Sequence, residues 1–363
     1  MKTLCLTLLL LTSVAHSSIS TDMKKTANSL SRLLVLSAQP KQFETQSTEV
    51  TALFEQLNSS LAGNQKHFKG RSPHYEMNQK ILQRLNLQAF RAYKLKRYEV
   101  SRQHLLAQPN ICLSCHQNDK IKSAAFSKDI PQNLSVLEKA HLAMATRQPE
   151  VALSFLDEAM KKDLKPQELE DALRKKLQIL ISEKNYSEAK AELEVLQSLY
   201  AKKPLVPQVS RLISGWIKGL ERAQLSLSHS LTSLDQVKRA VKKTFGSEEP
   251  TFGLLANPED EVFFLVLKKN LLNLMGDLKN KELPEAYYWM ALSERAVGYD
   301  IYFSLADSFL VTCIENWPKL PIAKKCFKEY ESFMEFAYSG SSGTHIPQDV
   351  KAELEGLRGK ITP

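Results

Sequence analysis

Apolar residues recur every three or four positions along most of this chain, with no sustained alternation of apolar and polar residues, so the pattern predicts an all-α protein. Met23, Ala27, Leu30 and Leu34 form one stripe at helical spacing, and Val50, Phe54, Leu57 and Leu61 form a second. Met77, Ile81, Leu85 and Ala89 give a third, and a fourth amphipathic segment runs from about Lys96 through His116. The polar stretch from Gly63 to Pro73 is expected to separate the second helix from the third. Pro109 is expected to kink or restart the fourth, because proline lacks an amide proton and its ring crowds the preceding turn. Short connections between such stripes set successive helices antiparallel, which predicts an up-down-up-down four-helix bundle over residues 18–130.

From residue 131 to 363 the pattern changes to helical pairs. Leu134–Arg147 and Glu150–Lys161 are followed by Glu168–Glu183 and Tyr186–Tyr200. The turns at Ala145–Ala152 and Ser182–Ala189 match at an offset of 37 residues, and Asp277–Ala286 repeats their logic before Tyr287–Leu292. These segments resemble tetratricopeptide repeats, and the resemblance implies hairpins stacked in series as an α-solenoid. Pro204–Asn257 reads as irregular enough to break one hairpin, and Glu248–Glu261 as a solvated linker. Phe263, Phe264, Leu267, Leu271 and Leu272 read as ordinary core. Near the end, Tyr302–Ile314 and Ile322–Phe336 are predicted as two helices around the turn Trp317–Pro321. A loop from Gly340 to Pro347, whose His345 is a candidate for reaching a partner or ligand, precedes a last helix over Asp349–Arg358.

The first residues carry a different signal. Met1-Lys2-Thr3, the apolar run Leu4–Leu11 and the small-residue stretch Val14-Ala15-His16-Ser17 predict a cleaved secretory signal over residues 1–17. The run falls short of the roughly 20 apolar residues that a membrane-spanning helix needs, and no later segment is apolar enough to span. Cys5 is expected to leave with the signal. The mature chain is thus expected to be exported, with the periplasm as its compartment.

Four cysteines remain: Cys112, Cys115, Cys313 and Cys326. Cys313 and Cys326 sit on opposite arms of the predicted hairpin at comparable distances from its tip, which suits a disulfide; two reduced buried thiols are the alternative. Cys112-Leu113-Ser114-Cys115-His116 is a different arrangement. Two thiols on one helical turn suit thioether bonds to haem vinyl groups, and the adjacent imidazole suits the iron, so one covalently bound haem c is expected. A redox disulfide or half of a zinc site are the competing readings, although zinc wants further Cys or His ligands and no second Cys-x-x-Cys occurs.

A four-helix bundle with Cys-x-x-Cys-His at the end of its fourth helix resembles cytochrome c-prime and its low-spin bundle relatives. The resemblance covers Thr21 to about Asp119 and implies His116 as proximal iron ligand, with a methionine near the start of the first helix as the distal ligand of low-spin members. Met23 stands at that place, 93 residues before His116. In an alternating bundle Met23, His67, His74, Met77 and His116 share one end, which leaves Met77, His74 and His67 as alternative distal ligands, or none; His104 lies elsewhere. Lys69 and Arg71, on the loop at that end, are candidate partners for haem propionates.

Charge sharpens the picture. Residues 18–131 carry 17 Lys and Arg against 8 Asp and Glu, whereas the chain beyond has 31 against 32. The haem-bearing part therefore holds the basic excess, including Lys66, Lys69, Arg71, Lys94, Lys96 and Arg97; an acidic partner is one expectation, and a solvated surface partly neutralised by haem propionates is the other. The cations are not interleaved with aromatics in any nucleic-acid motif, so nucleic acid is not expected as a partner. Neither a nucleophile triad nor a phosphate-binding glycine loop is legible, so no catalytic residue is assigned and an enzyme is not expected, with peroxide chemistry at the haem iron as the alternative. The expected activity is one-electron transfer, with the repeats docking a redox or assembly partner. A five-coordinate haem that binds nitric oxide or carbon monoxide, and a scaffold with a structural haem, are the alternatives.

Overall fold

The structure is a computed structural model that describes residues 21–118, 130–162, 164–201, 207–227, 231–247, 257–297, 305–340 and 343–361. The expected signal at 1–17, with Cys5, lies outside the described residues. The described chain is helical apart from a small antiparallel pairing of Ser339–Gly340 with Gly343–Thr344. Among the described residues no helix is long and apolar enough to cross a membrane. Prolines mark many of the helix starts, where their missing amide proton costs nothing: Pro40, Pro73, Pro166, Pro258 and Pro321 each open one.

The chain packs as two units that divide between Phe155 and Leu156. The first holds α1 (21–37), α2 (Pro40–Thr45), α3 (Ser47–Phe68), α4 (Pro73–Lys94), α5 (Tyr98–Asn118), α6 (Val136–Ala145) and the start of α7 (Pro149–Met160). The boundary expected near residue 130 adjoins the segment 119–129, outside the described residues. The three predicted stripes lie on helices and are buried apart from half-buried Met23, for instance Leu30 and Leu34 on α1, Phe54 and Leu57 on α3, and Ile81 and Leu85 on α4. Arg32 of α1 reaches Glu49 of α3 (2.9 Å), and Thr26 reaches Ser60 (3.0 Å), so these two helices run antiparallel. Phe54 stacks on Phe90 (5.1 Å) while Phe68 stacks on Tyr75 (6.0 Å), which makes α3 and α4 antiparallel as well. Helices α4 and α5 turn back on each other at Tyr93 and Tyr98, whose rings lie 5.3 Å apart.

One expectation in this unit is corrected and another is narrowed. The segment from Gly63 to Pro73 is not a break: α3 continues through Gly63 to Phe68, and only four residues separate it from α4. Asn64 and Phe68 are both buried, Asn64 donating to Thr26 Oγ1 at 3.0 Å, and these inward contacts carry the helix past its polar surface residues. Of the two outcomes expected at Pro109, the fresh start does not occur: α5 is continuous from Tyr98 to Asn118 with the proline inside it. Leu105, Pro109 and Ile111 are buried, and this packing offsets the lost hydrogen bond. Lys96 after α4 and Arg147 after α6 both adopt left-handed backbone (φ 58° and 60°) and close their helices with the same pair of hydrogen bonds.

The second unit comprises the rest of α7, then α8 (Pro166–Glu183), α9 (Tyr186–Ala201), α10 (Pro207–Leu227), α11 (Leu234–Phe245), α12 (Pro258–Leu274), α13 (Leu283–Val297), α14 (Leu305–Asn316), α15 (Pro321–Ala337) and α16 (Gln348–Ile361). Most of these helices pack on their neighbours in sequence, while α10 lies along α12, α8 meets both α9 and α12, and α16 meets both α14 and α15. The expected irregular stretch at 204–257 instead contains α10 and α11, because Leu212, Ile213, Trp216 and Leu220 give α10 a continuous apolar face. The expected linker Glu248–Glu261 is likewise corrected at its far end. Pro258 opens α12, and Glu261 is fully buried, accepting hydrogen bonds from Arg174 and from Trp216 Nε1 (3.0 Å). Burial holds the Glu261 carboxyl above its ordinary value, although Arg174 and Trp216 act to lower it. Cys313 and Cys326 form a disulfide between α14 and α15, with Cα atoms 6.5 Å apart. Residues 302–304, the start of the helix expected at Tyr302, lie outside the described residues.

Candidate functional site

Cys112, Cys115 and His116 occupy the last turns of α5, where a spacing of three and four residues puts them on one helical face. Cys112 is half-buried; the side chains of Cys115 and His116 lie outside the described residues. Because α5 folds back antiparallel along α4, these turns lie beside the N-terminal turns of α4.

The same end of the unit gathers the start of α1, the end of α3 and the start of α4. Met23 Sδ lies 3.9 Å from Asn64 Nδ2, and His67 Nε2 lies 3.1 Å from Asp22 Oδ2. The hydrogen bond from His67 holds the Asp22 carboxyl below its ordinary value, with Lys66 at 3.6 Å assisting. His67 Nε2 is therefore committed to Asp22, and iron binding through Nε2 requires that hydrogen bond to break. His74 is fully buried, with Nδ1 3.1 Å from Ser72 Oγ and its ring 3.9 Å from the ring of Tyr75. Met77 is buried one turn further along α4. Lys69 and Arg71 are exposed on the connecting loop, and the Arg71 guanidinium stands 5.9 Å from the Tyr75 ring. His104 is half-buried three turns up α5, and its partial desolvation brings its pKa down to about 4. His345 is exposed, its main-chain amide donating to Tyr338 O (2.8 Å).

The donor chemistry fits a covalently held haem: two thiols and an imidazole at attachment spacing on α5, and a thioether on α1 whose sulfur faces a buried amide. Among the described residues no group of three or more His, Cys, Asp and Glu is placed to hold a metal ion on its own.

One surface feature escaped the sequence reading. Lys80, half-buried Arg84, Leu87, Arg91 and Lys94 recur along α4 at heptad-like spacing, with Leu95 capping its end, and Leu87 (57% exposed) and Leu95 (54%) stand open to solvent among the cations. The spacing was present in the sequence, but exposure decides whether such a stripe faces core or water. In the second unit an open cleft of about 710 Å³ lies at the starts of α10 and α12, with Glu170, Arg211, Lys218 and Glu259 on its walls.

No protein-family model, curated protein or solved structure matches the chain.

Proposed function

We propose that the chain is an exported monohaem c-type cytochrome that passes single electrons to and from a partner protein. The observation that carries this reading is the spacing of Cys112, Cys115 and His116 on one face of α5, at the end of the unit where Met23 also lies. In this reading α1, α3, α4 and α5 are the four-helix haem bundle, and the second unit is a tetratricopeptide-like array that docks the partner. Cys112 and Cys115 hold the porphyrin through thioethers, and His116 is the proximal iron ligand. Met23 is the distal ligand, raising the potential and keeping the iron low-spin, in preference to Met77, His74 or the Asp22-bound His67. Haem so bound supplies one-electron redox chemistry. The periplasm is the compartment proposed, since such attachment accompanies export.

The partner is acidic where it meets the haem unit. The α4 stripe sets Leu87 and Leu95 among four cations, a combination suited to charge-steered encounter followed by apolar contact.

Mass spectrometry and absorption spectra of the exported protein test the proposal. The expected result is the mass of one porphyrin added to the chain and a low-spin reduced spectrum that carbon monoxide leaves unchanged. A high-spin spectrum that shifts with carbon monoxide replaces electron transfer with gas binding. A chain without porphyrin mass overturns both and leaves a helical docking protein.

A further inference from the structure

Asn64 is fully buried on α3, on the face that also buries Leu57, Leu61 and Phe68. Its amide reaches across to α1, at the end of the first unit that also holds the Cys-x-x-Cys-His turns of α5. Nδ2 donates to Thr26 Oγ1 at 3.0 Å and stands 3.9 Å from Met23 Sδ. Neighbouring groups fix the direction of the first bond. Ser60 Oγ donates to Leu57 O (3.0 Å), and the single hydroxyl proton of Thr26 serves Asp22 O (3.1 Å) or Ser60 Oγ (3.0 Å), so toward Asn64 the threonine oxygen accepts. Asn64 therefore turns its amino group, not its carbonyl, to α1, and that group carries a second N–H for the Met23 sulfur. The same orientation leaves Oδ1 buried with no hydrogen-bond partner among the described residues. A leucine would fill this apolar face without that cost, so what the site draws from Asn64 is its donors.

Resting on the haem reading above, we infer that Asn64 is the positioning residue of the distal ligand, its Nδ2–H group holding one lone pair of the Met23 sulfur and leaving the other for the iron. Methionine is unbranched and turns freely about three bonds, so a half-buried Met23 without such a donor would have no fixed sulfur position. The hydrogen bond also draws electron density from the thioether. Ferric iron depends on that density more than ferrous iron does, so the donor favours the reduced state and raises the potential. Thr26 holds the amide in place but does not itself act on the sulfur.

The test compares Asn64→Leu with Thr26→Val in the full-length exported chain, with haem load confirmed by mass. Both substitutions break the bond between Asn64 and Thr26 and are expected to lower the melting temperature, but only the first takes the donor from the sulfur. Midpoint potentials are measured by spectroelectrochemistry. Asn64→Leu is expected to lower the potential by about 30 mV, roughly a threefold change in the one-electron equilibrium constant at about 59 mV per tenfold. Thr26→Val is expected to leave the potential where it is. A potential that stays fixed or rises in haem-loaded Asn64→Leu, or that falls equally in both variants, overturns the inference and marks Asn64 as a structural tie between α1 and α3. Should Asn64→Leu not accumulate, Asn64→Ser, too short to reach the sulfur, is read in its place against the same outcomes. A chain without porphyrin mass, or a wild-type haem that binds carbon monoxide, removes the electron-transfer reading and this inference with it. An unmoved potential in haem-loaded protein that ignores carbon monoxide removes the inference alone.

Discussion

Replacing Gly219 of α10 by alanine isolates the packing of α10 against α12. A Cβ at this position meets Glu259 O at 2.6 Å, Val262 Cβ at 2.8 Å and Glu259 Cα at 3.0 Å. Two of these three atoms are main chain, so a rotamer change cannot relieve the clash, and overpacking of this kind costs about 1–3 kcal/mol. Against it stands the helix preference of alanine over glycine, about 1 kcal/mol. Gly356 of α16 is the matched control, because a Cβ there finds nothing within 4 Å. Gly356→Ala is expected to stabilise by about 1 kcal/mol, while Gly219→Ala lies about 1–3 kcal/mol below that control. All three tryptophans, Trp216, Trp289 and Trp317, lie in the second unit, so urea unfolding followed by tryptophan fluorescence reports on the unit that contains both substitutions. Equal or greater stability of Gly219→Ala relative to Gly356→Ala would refute the close approach of α10 to α12, and with it the placement of Glu261 beside Trp216.

Met23→Ala is expected to leave porphyrin mass unchanged and to convert a carbon-monoxide-insensitive reduced spectrum into a sensitive one; an unaltered spectrum removes Met23 as iron ligand. Because His67 lowers the folded-state pKa of Asp22, the Asp22 contribution to stability is complete above the ordinary carboxylate value and disappears as pH falls through the lowered one. His67→Ala is therefore expected to lose stability at neutral pH and to converge on wild type in acid, as measured by circular dichroism across an acid titration; curves separated by a constant amount contradict the pair. Cys313→Ser with Cys326→Ser is expected to lose about 3 kcal/mol in urea unfolding, the value for closing a short loop in the unfolded chain. Arg91→Glu with Lys94→Glu is expected to slow reduction by an acidic redox partner by at least about tenfold at low salt, with the difference shrinking as salt rises. A salt-independent rate identical to wild type removes the α4 stripe as an encounter surface.

The sequence was most informative where structure follows from local rules. Apolar spacing identified the helices that bury Leu30, Phe54 and Ile81, because a helix and its amphipathic face are set within a few turns of chain. The spacing of Cys112, Cys115 and His116 likewise places them on one helical face whatever surrounds them. Cys313 and Cys326 were readable as arms of one hairpin, and the structure joins them. Tertiary structure decided what depends on residues distant in the chain. Helix α3 passes Gly63 because Asn64 finds Thr26 on α1, and α5 passes Pro109 because α4 buries its flank. Glu261 looked like a linker carboxylate until Arg174 and Trp216, far earlier in sequence, gave it buried partners. The commitment of His67 to Asp22, the exposure of Leu87 and the placing of the Asn64 amide against Met23 are of the same kind. Hydrogen-bond satisfaction and desolvation are properties of neighbours in space, and only the packed chain supplies those neighbours.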